Sequence, residues 1–414
     1  MAKVIIHSLL FSPDATANSY IISDLALELQ RYGHEVNVIT TTPHYGVLKE
    51  NLDSQPLING KKSWYKLSDF HGIKCCHVVV PREKGNMIQR VKTYLRFHYF
   101  ALKIPRIEKM KADVVITESP PLSIGIINGI LSKRLDAKSI YIVQDLFPDG
   151  PIVQGKIKNP IVISILRFLE KCVYKNNDCV VSISEGIRKI INDRVPADTK
   201  QAIIQNFVDT NIYQPTQPNE EYIEQYNLRG KFVISYVGNI GNAHDLSPII
   251  ACADQLKNAN IVFLIAGNGI KLEYYKEIVK QKKLDNVIFL GYVKREETVK
   301  INSVSDLCLV MLADHIRGTS FPSKIYTIMG MGKPVLIVCS DQCDAGQYVI
   351  DNCFGWWVKS GDNSMFCETI SNLMENRERL ASFGENAYQV VMMNNTKEIV
   401  GKLYNKLIEE LICK

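Results

Sequence analysis

Long apolar runs are missing from this chain. The opening segment, Met1 to Pro13, holds an apolar stretch too short for a secretion signal or a bilayer span, and no later run reaches spanning length. Any membrane contact is therefore expected to be peripheral. Cysteine pairing patterns are missing too. The eleven cysteines are odd in number, contain no Cys-x-x-Cys, and are adjacent only at Cys75-Cys76. Cys179, Cys308 and Cys339 sit in apolar strand-like runs, which fits buried thiols in a reducing cytoplasm and excludes a disulfide scaffold. Strong charge is absent: the net charge of +6 over 414 residues is too weak to argue for nucleic acid. It leaves room for a local basic face that meets phosphate or anionic lipid. No Gly-x-Gly-x-x-Gly follows the first strand, which argues against a dinucleotide-dependent oxidoreductase. No short-period repeat or low-complexity segment occurs.

What is present is a globular composition, 46% hydrophobic and 22% charged, at a length where two domains are the default. Val4–Leu10 reads as a buried strand. Ile21, Ile22, Leu25, Leu29 and Tyr32 recur at helical spacing before Gly33, and Glu35–Thr40 reads as a second strand. Lys74–Val80, Val114–Glu118, Ser139–Asp145 and Cys179–Ser184 continue the series. Such alternation predicts a parallel sheet covered on both faces, with ligands at the carboxyl ends of its strands. The Pro- and Asn-rich stretch 206–219 reads as a linker. A second series follows at Val233–Val237, Ile261–Ala266, Val287–Leu290, Leu307–Leu312 and Pro334–Val338.

The most informative stretch runs from Thr319 to Pro334. A polar turn containing Pro322 enters an apolar helical turn and then Gly-Lys-Pro before a strand. Thr319 or Ser320 is expected to cap the helix, with Pro322 in its first turn. The free N–H groups and Lys324, one turn in, would then form an anion site suited to a diphosphate. An ordinary loop-to-helix junction is the alternative.

An ordered set of segments carries a family resemblance. It comprises Pro43-His44-Tyr45-Gly46, Gln144-Asp-Leu-Phe-Pro148, Ser182-x-Ser184-Glu185, Gln205-Asn-Phe-Val-Asp209, Tyr236-Val-Gly-Asn-Ile-Gly241, Ala266-Gly-Asn-Gly269, Phe289-Leu-Gly-Tyr-Val293 and Pro322-Ser-Lys324 with Gly-Lys-Pro334. Together they resemble glycosyltransferase family 4, in its bacterial branch for O-antigen, capsule and other envelope polysaccharides. The resemblance implies an α/β protein of the GT-B fold, two Rossmann-like domains with parallel sheets facing across a cleft. It divides the chain at 1–208 and 209–395, acceptor side first and nucleotide-sugar side second. The last helix, Thr396–Leu411 within segment 396–414, would cross back to the first domain.

The same resemblance assigns candidate residues. Gly238, Asn239 and Gly241 form the turn after a strand where backbone approaches phosphate. Asn239 and His244 stand where the family often has an Arg and a Lys, which leaves Lys324 as the main cation and Arg317 as a second candidate. Gly267 and Asn268 resemble the turn beneath the donor, and Tyr292 and Val293 the backbone that reads the nucleobase. Ser320, Phe321, Pro322 and Ser323 complete the donor loop. Thr319 and Thr327 stand where two glutamates usually hold the donor sugar and the ribose. An uncharged, shorter side chain at Thr319 suggests a deoxy or N-acetylamino sugar. Asp145, closing its strand, is expected to bond a sugar hydroxyl, act as a base, or merely cap the next helix. His44 and Tyr45 are placed on the acceptor side. The loop Ser12–Asn18 lacks the family's glycines.

On the stretch Met87–Lys111, Ile88, Val91, Leu95, Tyr99 and Leu102 share a helical stripe expected to pack inward. Arg90, Tyr94 and Phe97 would then face outward as a membrane interface, with Lys92, Arg96 and Lys103 alongside the first stripe. The implied function is a retaining transferase that moves a sugar from a nucleotide sugar, UDP-linked, to a polyprenyl-diphosphate-linked saccharide. It would need no metal and no cofactor, bind no nucleic acid, and work in the cytoplasm on the inner face of the membrane. A nucleotide-sugar 2-epimerase of the same fold, or a non-catalytic binding subunit, are the alternatives.

Overall fold

A computed structural model describes residues 1–82 and 87–413. The chain divides into one unit of residues 1–206 with 397–414, and a second of residues 207–396.

In the first unit, the strands in chain order are β1 (Lys3–His7), β2 (Glu35–Thr41), β3 (Ile58–Asn59), β4 (Tyr65–Phe70), β5 (Ile73–Val78), β6 (Val114–Glu118), β7 (Lys138–Val143), β8 (Cys179–Ser182) and β9 (Lys200–Ile203). They form one sheet in the order β3-β4-β5-β2-β1-β6-β7-β8-β9. From β5 to β9 every pairing is parallel, and β1, β6 and β7 are buried runs such as Val-Val-Ile and Ile-Tyr-Ile-Val. The expectation of a wholly parallel sheet misses the antiparallel edge, where β4 pairs with β3 and β5.

Thr16 and Ser19 form a reciprocal capping box that starts the helix Ala17–Arg31. The last helix, Lys397–Ile412, packs on it within this unit. Gly401 permits that approach, since a Cβ there would lie 2.7 Å from the Cβ of Glu28. His34 Nε2 and Asn405 Oδ1, 2.7 Å apart, fix its register. Right-handed crossovers place the connections that step toward β9 on the opposite face. These are the helices Met87–Ala101, Leu122–Leu135 and Pro160–Lys175. They lie in one layer: His98 Nε2 is 2.8 Å from Ser123 Oγ, and the latter two helices pack together.

The second unit has a parallel sheet of β10 (Phe232–Val237), β11 (Ile261–Ala266), β12 (Val287–Gly291), β13 (Leu307–Met311), β14 (Val335–Cys339) and β15 (Gly355–Lys359). Its order is β12-β11-β10-β13-β14-β15, a doubly wound arrangement that reverses beside β10. Of the stretch read as a linker, Phe207, Val208 and Tyr213 are buried. Val208 bridges to Thr396, so the unit's two chain ends meet.

Candidate functional site

The carboxyl end of β10 is built from backbone meeting backbone. Gly238 N donates to Ala266 O, Gly267 N to Gly291 O, and Ile240 N to Asn268 O, at 2.9, 2.6 and 2.9 Å. A Cβ at Gly267 would lie 1.8 Å from Gly238 O, and one at Gly269 would lie 2.3 Å from Ile240 O. These glycines exist because two strand-end turns press together with no room for a side chain. Gly241 is buried within the same turn, while Asn239 and Asn268 are exposed at its rim.

Gly238 answers to a different constraint. A Cβ there would lie 2.3 Å from Nζ of Lys324. That ammonium is 4.2 Å from the ring centroid of Tyr236, and Tyr236 is itself fixed by donating its hydroxyl to Asn239 O at 2.7 Å. Nζ is buried and has no hydrogen-bond partner among the described residues. Desolvation lowers its pKa to about 7. His244 lies nearby, with Nδ1 buried and likewise without a partner among the described residues. Burial, reinforced by the charge of Lys324, lowers its pKa to about 3, so the ring is neutral at physiological pH. An unsatisfied cation beside this glycine turn is costly unless an anion joins it.

The loop before Lys324 differs from expectation. The helix begins at Lys324 and runs to Gly330, so Lys324 opens it and Pro322 precedes it. Neither Thr319 nor Ser320 caps it; Ser323 holds the cap position without a side-chain bond. Thr319 is buried and its hydroxyl donates to Ile316 O at 2.6 Å, so its proton is used locally. Phe321 anchors the loop by stacking on Tyr326 at 5.9 Å and meeting Tyr348 edge-on. Thr327 is half-buried on the helix, Tyr292 is exposed, and Val293 is half-buried after β12. Arg317 is an exposed residue in a left-handed turn, 4.0 Å from Asp314.

In the first unit, two carboxylates close adjacent strands. Glu118 ends β6 and Asp145 follows β7. Asp145 reaches solvent, and the protein around it shifts its pKa upward. Glu118 is buried, with Oε2 unpartnered among the described residues, and burial with the nearby Asp145 charge raises its pKa to about 8. Its Oε1 is 3.2 Å from Ser8 Oγ, whose own proton goes to Leu10 O at 2.7 Å. A protonated Glu118 therefore has an acceptor to donate to. Ser119 Oγ accepts from Gln144 N and Asp145 N, at 3.1 and 3.3 Å, and holds the turn. Gln144 and Asn206 form a reciprocal amide pair at 3.0 and 2.8 Å.

His44 is buried rather than solvated. Asp14 Oδ1 accepts from the backbone N–H of His44, Tyr45 and Gly46, each at 3.2 Å, and Asp14 Oδ2 is 3.7 Å from His44 Nδ1. A carboxylate from the loop that lacks the family's glycines thus holds the turn 44–46. Tyr45 stands exposed beside it.

Residues 19–212 match the family model described as Glycosyltransferase Family 4, and residues 218–390 match Glycosyl transferases group 1. The chain belongs to the family 4 glycosyltransferases. Probable glycosyltransferase WbjE of Pseudomonas aeruginosa is 22% identical over 306 residues, 73% of this chain and 76% of that protein. The putative colanic acid biosynthesis glycosyl transferase WcaI of Escherichia coli K12 is 23% identical over 363 residues, 83% and 85% of the two chains. The structure of Anabaena HepE in complex with UDP-glucose matches with a TM-score of 0.72 at 14% identity, covering 99% of this chain and 100% of that one. That likeness shows the GT-B fold.

One expectation for this family 4 glycosyltransferase needs correction. On the Met87 helix, Phe97 is buried and stacks on His7 at 5.1 Å, while Arg90 and Tyr94 are half-buried. The expected outer face points inward, because Phe97, His98 and Phe100 find partners in His7, Ser123 and Trp64. Ile88, Val91, Leu95 and Tyr99 are exposed instead. Sequence reading also passed over Glu118 and Asp14 as site residues, and took His244 only as the loss of a family cation. Glu118 was legible as the last residue of an apolar strand beside the one ending at Asp145. Among the described residues no cluster of His, Cys, Asp or Glu could hold a metal, and no helix is long and apolar enough to cross a membrane. An open cavity of about 590 Å³ lies at the amino edge of the first sheet, lined by Lys133, Lys138, Asp178 and others. Lys138 pairs with Asp178 there at 3.7 Å and Lys133 donates to Asn176 Oδ1 at 3.0 Å, and ligands in such sheets bind at the other edge.

Proposed function

We propose that this glycosyltransferase moves a sugar, with retained anomeric configuration, from a UDP-sugar to a polyprenyl-diphosphate-linked saccharide during surface polysaccharide synthesis. The observation that carries the donor half is the ammonium of Lys324, buried without a hydrogen-bond partner against Gly238. As the glycosidic bond breaks, negative charge builds on the departing diphosphate. A fixed cation, already desolvated, stabilises that charge without reorganising. The UDP-glucose complex of HepE supports a uridine nucleotide as donor, and WcaI, named for colanic acid biosynthesis, supports a polysaccharide product. Gly238, Asn239, Gly241, Gly267, Asn268, Tyr292, Val293 and the loop from Arg317 to Ser323 form the donor side. Thr327 completes it and faces the ribose. Asp145 with Glu118 beneath it, and His44 and Tyr45 held by Asp14 through their backbone N–H groups, form the acceptor side.

In this reading Asp145 bonds a reacting hydroxyl and the acceptor attacks on the face the diphosphate leaves, with no metal. The enzyme works at the cytoplasmic surface of the membrane, where its acceptor resides. Thermal-shift screening of UDP-sugars, followed by turnover with a polyprenyl-diphosphate saccharide and NMR of the new anomeric centre, tests it. Inversion would overturn the retaining mechanism. Consumption of donor without acceptor would assign an epimerase, and binding without turnover a non-catalytic subunit.

A further inference from the structure

The outward side of the helical layer that holds Met87–Ala101 and Pro160–Lys175 is apolar on both helices. On the first, Ile88, Val91, Leu95 and Tyr99 are 67%, 49%, 64% and 57% exposed. On the second, Ile161, Val162, Ile165 and Phe168 are 69%, 42%, 54% and 66% exposed. Spacings of three and four residues put each set on one stripe. A pair of such stripes in one layer is more than the scattered exposed apolar residues any surface carries.

Charge on these helices has one sign outward. Met87–Ala101 contains no acidic residue, and Lys92, Arg96 and Lys103 are exposed beside its stripe. Lys103 Nζ lies 3.9 Å from the ring centroid of Tyr99. The only acid of Pro160–Lys175 is Glu170, which is buried and paired with Arg167 and Arg194 at 2.9 and 3.1 Å. Lys156, Lys158, Lys171 and Lys175 are exposed around that stripe. Two copies meeting on this side would bring lysine and arginine against lysine and arginine. An anionic surface with an apolar interior fits both halves of the pattern, with ammonium groups at the headgroups and aliphatic stems lying along the apolar stripe.

Position agrees with this. The Pro160 helix ends just before β8 starts, so its first turns lie at the carboxyl edge of the sheet, where Asp145 stands. On the other helix, Phe97 stacks on His7 at the carboxyl end of β1, and the chain enters that helix from the same edge.

We infer that these two helices together form a docking surface for an anionic lipid bilayer, with Ile161, Ile165 and Phe168 inserting on one side of the helix Leu122–Leu135 and Ile88, Val91 and Leu95 on the other. The inference rests on the reading of a membrane-bound acceptor and names the surface that meets the membrane.

Co-sedimentation of the full chain with phosphatidylcholine vesicles containing about one third phosphatidylglycerol tests it. Ile165→Ser with Phe168→Ser, and separately Ile88→Ser with Leu95→Ser, should each weaken vesicle binding about tenfold. Pure phosphatidylcholine vesicles should bind the unaltered chain at least about tenfold more weakly, and raised salt should narrow that difference. Retained UDP binding and unchanged melting in each variant show that it is folded. Vesicle binding unchanged by the Ile165 and Phe168 substitutions overturns the second helix's role, and unchanged binding in both variants overturns the surface. Concentration-dependent dimerisation lost in the same variants would assign the face to a second copy. Turnover on a short water-soluble acceptor is expected to persist in both variants. Its absence from the unaltered chain would count against the transferase reading rather than the docking surface.

Discussion

Lys324 and Gly238 occupy one another's space: the ammonium sits 2.3 Å from where a Cβ on residue 238 would be. The glycine gives the cation its place against the strand end, and no described residue satisfies it there. Lys324→Ala is therefore expected to lose donor binding and turnover together, by roughly 2–4 kcal/mol in kcat/KM. Lys324→Met should lose them equally while raising the melting temperature, because an unpaired buried charge gives way to a group that suits burial. That gain should be about 1–4 kcal/mol at neutral pH in the unliganded protein. A Met variant that melts lower than the parent would show that the lysine serves the fold rather than the donor.

The two neighbouring glycines should separate under substitution. A Cβ at Gly267 meets the backbone oxygen of Gly238 at 1.8 Å, and neither atom can retreat without opening the β10 and β11 turns. A Cβ at Gly238 meets only the far end of a flexible side chain. Gly267→Ala is expected to cost roughly 2–4 kcal/mol in urea unfolding. Gly238→Ala should cost about 1–2 kcal/mol, the strain of an L side chain at a φ of +156°, and displace the ammonium, so that UDP affinity falls at least tenfold. Equal destabilisation by both would mean that Lys324 cannot move aside.

Donor affinity should depend on pH through Lys324. Burial lowers its pKa to about 7 in the unliganded protein, and a bound diphosphate favours the charged form. Affinity for a UDP-sugar is therefore fully present below pH 7 and weakens as pH rises past it, with proton uptake on binding in that range. Titration calorimetry in buffers of different ionisation enthalpy measures the uptake directly. Uptake that persists in Lys324→Met would assign the proton to another group.

Much of the fold was legible because β1, β6, β7, β10 and β11 are mostly apolar runs between helical patterns, a signal that burial on both faces imposes. The antiparallel edge of β3 and β4 was not, since exposed edge residues such as Ile58 and Asn59 carry no such pattern. The helix Met87–Ala101 shows the limit of reading faces from periodicity. Both of its faces are part apolar, and the inward one is chosen by Phe97 finding His7 and Phe100 finding Trp64, partners far apart in sequence. Lys324 was legible from local chemistry, but its neighbours were not. That Thr319 turns its hydroxyl to Ile316, and that Glu118 lies against Ser8, depend on the tertiary path alone.

Glu118 should reveal itself through stability rather than through a contact. Its folded pKa is raised to about 8 by burial, with Asp145 adding to the shift, against 4.5 when unfolded. Between those values the folded state holds a proton that the unfolded state releases. Its contribution to stability is therefore fully present below pH 4.5 and is lost as pH rises through about 8. Glu118→Gln keeps the shape and the donor to Ser8 but cannot ionise. The variant's stability curve, from urea unfolding at successive pH values, should be flatter than the parent's between pH 5 and 8, with the gap in its favour at the upper end, roughly 1–3 kcal/mol. If Asp145 acts on the acceptor, the same substitution removes a charge that builds beside it above pH 8. The alkaline limb of kcat/KM should then shift while the acid limb stays. Parallel stability curves for the two proteins would show that Glu118 is ionised in the fold, and the carboxylate pair would then have to be held by a cation.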